Sequence, residues 1–301
     1  MSETVNPAIL FDLIGHDIPG DLHPNILIVG SLAAAYHYKD QLDGGGVHTK
    51  DADIVIQPAG AIDECRRIAA RLLEIGWRRT PKCYPCPVEN PENPADLRLI
   101  RLHPPDSASY FVELLGFPDT NQQEMKKGTP IQLDDGWYQL DSFRFLGLAQ
   151  HGRLETHTGL QYAAPAMMAL SNLLSHPKLG TQTMGEQIGI TEKRTLLRSA
   201  KDLGRVLALA WFAGREATES WPQQWEEALR SRFGDEAPAL ARRTGDGLRE
   251  LLASRNELEQ ARFAVDVGLL AGLGVTEENL RLTGEQFLVD AIGPLARRFA
   301  T

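Results

Sequence analysis

The chain has 301 residues, of which 43% are hydrophobic and 24% charged, ordinary proportions for a globular protein with one large core or two smaller ones. Its net charge of −9 argues against a general nucleic-acid coat, although basic residues cluster locally at Arg78, Arg79 and Lys82 and at Lys193, Arg194, Arg198, Lys201 and Arg205. No apolar run approaches the roughly 20 residues of a membrane span, no secretory leader is visible, and three cysteines (Cys65, Cys83, Cys86) make no even disulfide framework, so the expectation is a cytoplasmic protein with no membrane contact.

In chain order, residues 7–15 predict a short apolar helix. Ile26-Leu27-Ile28-Val29 reads as a buried strand ending at Gly30, and Ser31 as the N-cap of a helix through Ala33, Ala34 and Ala35. Gly44-Gly45-Gly46 marks a loop, and Asp51-Ala52-Asp53-Ile54-Val55-Ile56 a second strand. Residues 61–75 carry apolar positions at helical spacing, ending at Gly76. Residues 81–96 read as a loop; the Cys83/Cys86 pair within it has no second ligand pair for zinc. Residues 97–102 and 110–115 predict an antiparallel hairpin, and a short β-like stretch follows around 131–140. From Pro165 onward the pattern is helical, with candidates at 166–174, 193–212, 221–233 and 246–270. The expected organisation is α+β: a domain over residues 1–150 with a mixed sheet and flanking helices, then a mainly helical domain over 151–301, with the boundary somewhere near 145–165.

The chemistry concentrates in residues 26–56. A glycine at a strand end lets a ligand approach the backbone, and the first N–H groups of the following helix suit a phosphate. Asp51 and Asp53 are two apart on a strand and share a face, where a divalent cation relieves their repulsion. Glu113 lies inside the apolar run Tyr110-Phe111-Val112-Glu113-Leu114-Leu115. It either points to solvent or faces a metal beside Asp51 and Asp53. Taken singly, each feature has a plain structural reading as a strand end, a solvated strand start or an exposed alternate position. Their joint order points to a site.

That order resembles the DNA polymerase beta-like nucleotidyltransferase superfamily. Thr49-Lys50-Asp51-Ala52-Asp53-Ile54 is similar to the Thr-x-Asp-x-Asp motif of its AbiEii and MNT-like toxin branch. Lys201-Asp202, ahead of an apolar helix, is similar to the Lys-Asp pair of that branch's helical half. The resemblance implies a nucleotidyltransferase-fold sheet and an enzyme that transfers NMP from an NTP to an acceptor hydroxyl, an RNA 3′ end or a protein side chain. It implies Mg2+ (or Mn2+) held by Asp51, Asp53 and Glu113, with phosphates on Gly30, Ser31 and Lys201, and a toxin with an antitoxin partner. Two positions depart from the family pattern: Val47 stands where an Arg is usual, and Ser171-Asn172 where a Lys is expected. These departures support an alternative, a non-catalytic binding or regulatory protein; an antibiotic-modifying nucleotidyltransferase is a third. Lys50 should face away from Asp51, and Lys201-Asp202 reads equally as a helix-surface charge pair. His37, His48 and His103 read as structural or exposed, and Trp211, Trp221 and Trp225 as helical core positions.

Overall fold

The computed structural model describes residues 5–47, 49, 51–81, 83, 85, 97–107, 109–176, 187–191 and 194–300, with only the backbone described at 187–191 and 194–195. His48, Lys50, Lys82, Cys86 and Lys193 lie outside the described residues, as does most of the 81–96 segment. The chain forms two units, residues 1–39 with 46–163 and residues 40–45 with 164–301.

The first unit opens with α1 (Pro7–Asp17), whose Asn6 cap accepts from the N–H groups of Ala8 at 2.9 Å and Ile9 at 3.2 Å, with Pro7 in the first turn. It continues through β1 (Ile26–Val29), α2 (Gly30–His37), β2 (Asp51–Ile56), α3 (Ile62–Glu74), β3 (Arg78–Arg79), β4 (Ile100–His103), β5 (Phe111–Gly116), β6 (Lys126–Leu133), β7 (Gly136–Phe143), β8 (Leu154–Glu155) and β9 (Gln161–Tyr162). Seven of the strands form one sheet in the order β3-β4-β5-β2-β1-β9-β8. The sheet is mixed: β2 runs parallel to β5 and β1 parallel to β9, while β1–β2, β4–β5, β3–β4 and β8–β9 are antiparallel. The hairpin expected from residues 97–115 is β4–β5, and the stretch around 131–140 is the separate hairpin β6–β7. All four residues of β1 are buried, as a strand near the middle of the sheet requires. The unit runs to residue 163 rather than 150 because β9 adds to β1, and Ala163 N–H continues the ladder onto Ile28 O at 2.9 Å.

The second unit holds α4 (Pro165–Leu174), the hairpin β10 (Gln187–Thr191) and β11 (Arg194–Leu197), then α5 (Arg198–Phe233), α6 (Ala237–Arg243), α7 (Asp246–Ala253), α8 (Arg255–Asp266), α9 (Glu277–Phe287) and α10 (Gly293–Arg298). Two helical expectations change. Residues 194–197 pair with β10, so the helix expected from 193 begins at Arg198. The single helix expected over 246–270 is two, parted at Ser254, whose hydroxyl accepts from Glu257 N–H at 3.3 Å. The long run of α5 is broken at Gly214, which sits at φ +68°. Trp225 is fully buried, donates from Nε1 to Ala166 O at 2.8 Å, and packs with Trp221 and Phe287. Trp211, expected in the core, is 39% exposed. Among the described residues no helix is long and apolar enough to cross a membrane.

Candidate active site

The site grows out of strand register. Asp51 and Asp53 alternate with the fully buried Ala52 and Ile54 along β2, so both carboxylates occupy the half-buried face. On the parallel neighbour β5, Glu113 is the register partner of Asp53 and Phe111 that of Asp51. On the far side of β5, Arg101 of β4 is the partner of Glu113. Directly opposed residues share a face, so Arg101, Glu113 and Asp53 form one row across three adjacent strands, with Asp51 and Phe111 one step along. The opposite face at these strands, with Ala52, Ile54, Val112, Leu114, Ile100 and Leu102, is core.

The row reaches Gly30 through Val29, the antiparallel partner of Asp53. Gly30 has φ +75°, and a methyl group built on it would stand 2.6 Å from Asp53 Oδ2. Glycine is required here twice, by backbone conformation and by the closeness of the Asp53 carboxylate. The helix starts at Gly30, with Val29 in the cap position and no side-chain capping bond. Ser31 therefore lies in the first turn rather than at the cap, half-buried beside the row. The Thr49 hydroxyl reaches both the main-chain oxygen and the Oδ1 of Asp51 at 3.1 Å, which orients that carboxylate. Val47 is fully buried and bonds main chain to main chain with Val5 at 2.9 Å in both directions, so this position is core.

Glu113 is buried and hydrogen-bonded to Nε of Arg101, an ion pair that the sequence reading did not anticipate. Burial pushes the Glu113 carboxyl above the ordinary range; Arg101 acts against this, while Asp51 and Asp141 add to it. Burial pulls on Arg101 in the opposite sense, but the charge and hydrogen bond of Glu113 outweigh it, and the guanidinium is held above its usual value with a further contribution from Asp51. The Arg101 Cζ also lies 5.3 Å from the Phe111 ring centroid. Asp141 is itself buried and ion-paired to Lys126 at 2.6 Å. Among the described residues, no three His, Cys, Asp or Glu side chains stand close enough to share a metal ion, and the Glu113 carboxylate is turned on Arg101. The donor set still suits a hard divalent cation: Asp51 and Asp53 offer carboxylate oxygens on one face, Glu113 lies one strand away, and Gly30 keeps the space beside Asp53 clear of a side chain.

In the second unit, a small open cleft is lined by Asn172, Ser175, His176, Arg198, Ser199, Asp202 and Leu203. Asp202 takes its charge partners from Arg198 at 3.6 Å and Arg205 at 4.0 Å rather than from Lys201. Lys201 is half-buried on α5 and is not part of the cleft lining. Ser171 is buried in α4, where its main-chain oxygen accepts from Ser175, and Asn172 donates to Met168 O at 3.0 Å while facing the cleft. Of the histidines, His37 is exposed and His103 meets Tyr110 O at 2.6 Å. Arg79, one of the locally clustered basic residues, is ion-paired with Asp135 at 2.5 Å.

Comparison with protein-family models, with curated proteins and with solved structures gave no match to this chain. The functional reading therefore stands on the row of residues itself. Arg101 was within reach of the sequence, as a cation inside the otherwise apolar Leu99-Ile100-Arg101-Leu102. Its partner was not, because the 103–110 connection does not dictate which residues of a hairpin face one another.

Proposed function

We propose that the first unit is a nucleotidyltransferase site, which takes an NTP with Mg2+ or Mn2+ and transfers the nucleoside monophosphate to an acceptor hydroxyl, releasing pyrophosphate. The observation that supports this reading is the placement of Asp51, Asp53 and Glu113 on one face of adjacent strands, with Gly30 packed against the Asp53 carboxylate. Asp51, Asp53 and Glu113 would hold the metal, Thr49 fixing the angle of Asp51. When bound, the divalent ion neutralises phosphate charge and draws the reacting groups together. The first-turn N–H groups and hydroxyl of Ser31 would bind phosphate oxygens. Glu113, as ligand of the metal beside the acceptor hydroxyl, would also be the group placed to take the proton of that hydroxyl. Lys201 belongs to the second unit, and a phosphate role for it is what the resemblance implies. RNA 3′ ends and protein side chains are the proposed acceptors, in a toxin held by an antitoxin partner.

The test is transfer of α-labelled phosphate from each of the four NTPs into total cellular RNA and protein, with Asp53→Asn as control. Label that appears with the wild type and disappears with the variant supports the reading. Its absence with all four nucleotides, together with NTP binding by calorimetry, supports the second reading of a binding or regulatory protein, which the engagement of Glu113 by Arg101 favours.

A further inference from the structure

We propose that Arg101 is the resident counter-cation of the carboxylate row, competing with divalent metal for Glu113 and so setting how tightly the site takes metal. The inference rests on the reading of Asp51, Asp53 and Glu113 as metal ligands.

The geometry supplies the competition. Glu113 has Arg101 as its register partner on one side and Asp53 on the other, each one strand away. Adjacent strands lie about 4.8 Å apart, so one carboxylate can lean to either neighbour but cannot serve both fully. It leans to Arg101. That leaves the negative charges of Asp51 and Asp53 without the third ligand that a metal would gather. The two partners differ in freedom. The Glu113 side chain is 11% exposed and the Arg101 side chain 36%, so Arg101 is the member able to withdraw. While paired with Glu113 its Cζ also lies 5.3 Å from the Phe111 ring centroid, a contact on the solvent side of the row.

Calorimetric titration of the full chain with Mn2+ tests this, using wild type, Arg101→Met and Arg101→Lys, with Asp53→Asn as the control for site binding. Removing one like charge beside a binding site changes occupancy by about tenfold or more, so Arg101→Met should bind Mn2+ about tenfold more tightly than wild type. Arg101→Lys keeps the charge but loses the planar fork and should fall between them. Mn2+ should also raise the melting temperature of Arg101→Met by more than that of wild type. If Arg101→Met does not fold, the order of wild type and Arg101→Lys decides the matter. Wild type that binds Mn2+ at the Asp53-dependent site, with variants that bind equally or more weakly, overturns the role of Arg101 and leaves the metal reading standing. No Asp53-dependent Mn2+ binding in any folded protein overturns both.

Discussion

Replacing Gly30 with alanine tests the packing of the proposed site against its own backbone. Gly30 holds φ +75°, a conformation that costs a residue with a side chain about 1–2 kcal/mol. The new methyl would also stand 2.6 Å from Asp53 Oδ2, closer than real atoms of this kind approach. The obstacle is the far end of a side chain, so Asp53 rotates rather than the sheet parting, at a further cost of about 0.5–1.5 kcal/mol for an off-rotamer carboxylate. The sum is about 1.5–3.5 kcal/mol, a fall in Tm of about 3–14 °C for a unit of this size. Gly60→Ala separates the two contributions: Gly60 has φ +81° but nothing within 4 Å of its added methyl, so it should lose only the backbone part. Thermal and urea unfolding of both variants, with Mn2+ titration, makes the comparison. Gly30→Ala should be the less stable and should bind Mn2+ more weakly than wild type, while Gly60→Ala keeps wild-type affinity. Equal stability of the two variants, with unchanged Mn2+ binding in Gly30→Ala, would refute the argument that Gly30 is held against Asp53.

Asp53→Asn should lower nucleotidyl transfer by about 10²–10³-fold, the scale at which losing one preorganised charge-stabilising group is felt, with Tm within a few degrees of wild type; a variant with wild-type turnover removes Asp53 from the site. Trp225→Ala should destabilise the helical unit by about 3–5 kcal/mol, since it empties a fully buried ring position and orphans the Ala166 carbonyl, and a loss below about 1 kcal/mol in urea unfolding would contradict the packing described. The Cys65 thiol is buried and pushed up to about 12, so at pH 8 it should resist iodoacetamide in the native protein and react in urea; peptide mapping that finds native labelling at the rate of a free thiol would show that α3 opens.

The elements read most easily from the sequence were those whose side chains repeat a simple pattern. The apolar run of β1, the alternation of β2 and the amphipathic spacing of α3 each declare one element by local periodicity. What was hidden depends on partners distant in sequence. Residues 194–197 fit a helical spacing that continues into α5, and only pairing with β10 turns them into a strand. The same holds for the extent of the first unit, since β9 has two residues and becomes a strand by adding to β1. In the site, the acids and Gly30 were legible one by one, whereas the Arg101–Glu113 pair is a consequence of cross-strand register. Asp202 shows the limit on helices: its neighbour Lys201 is adjacent in sequence, but Arg198 and Arg205 are the residues one turn away on its face.

Register is also what ties the core to the chemistry. Side chains alternate between the two faces of a strand, so a slip of one residue in β5 would place Val112 or Leu114 on the row and send Glu113 into the core. Val112 and Leu114 are fully buried, as are Ala52 and Ile54 on the neighbouring strand, and Ile100 and Leu102 on the other side are 2% and 1% exposed. A slip would bring apolar groups out and carry a carboxylate inward, away from both Arg101 and the acids of β2. Burial of one aliphatic side chain is worth about 1.5–3 kcal/mol, so exposing two outweighs any single contact within the row. The alignment of Arg101, Glu113, Asp53 and Gly30 is therefore held chiefly from behind, by the apolar face they do not share. Substitutions on the site face can change charge and ligand binding while the register persists, whereas a polar residue at Val112 or Leu114 should disorder the row without touching any of its members.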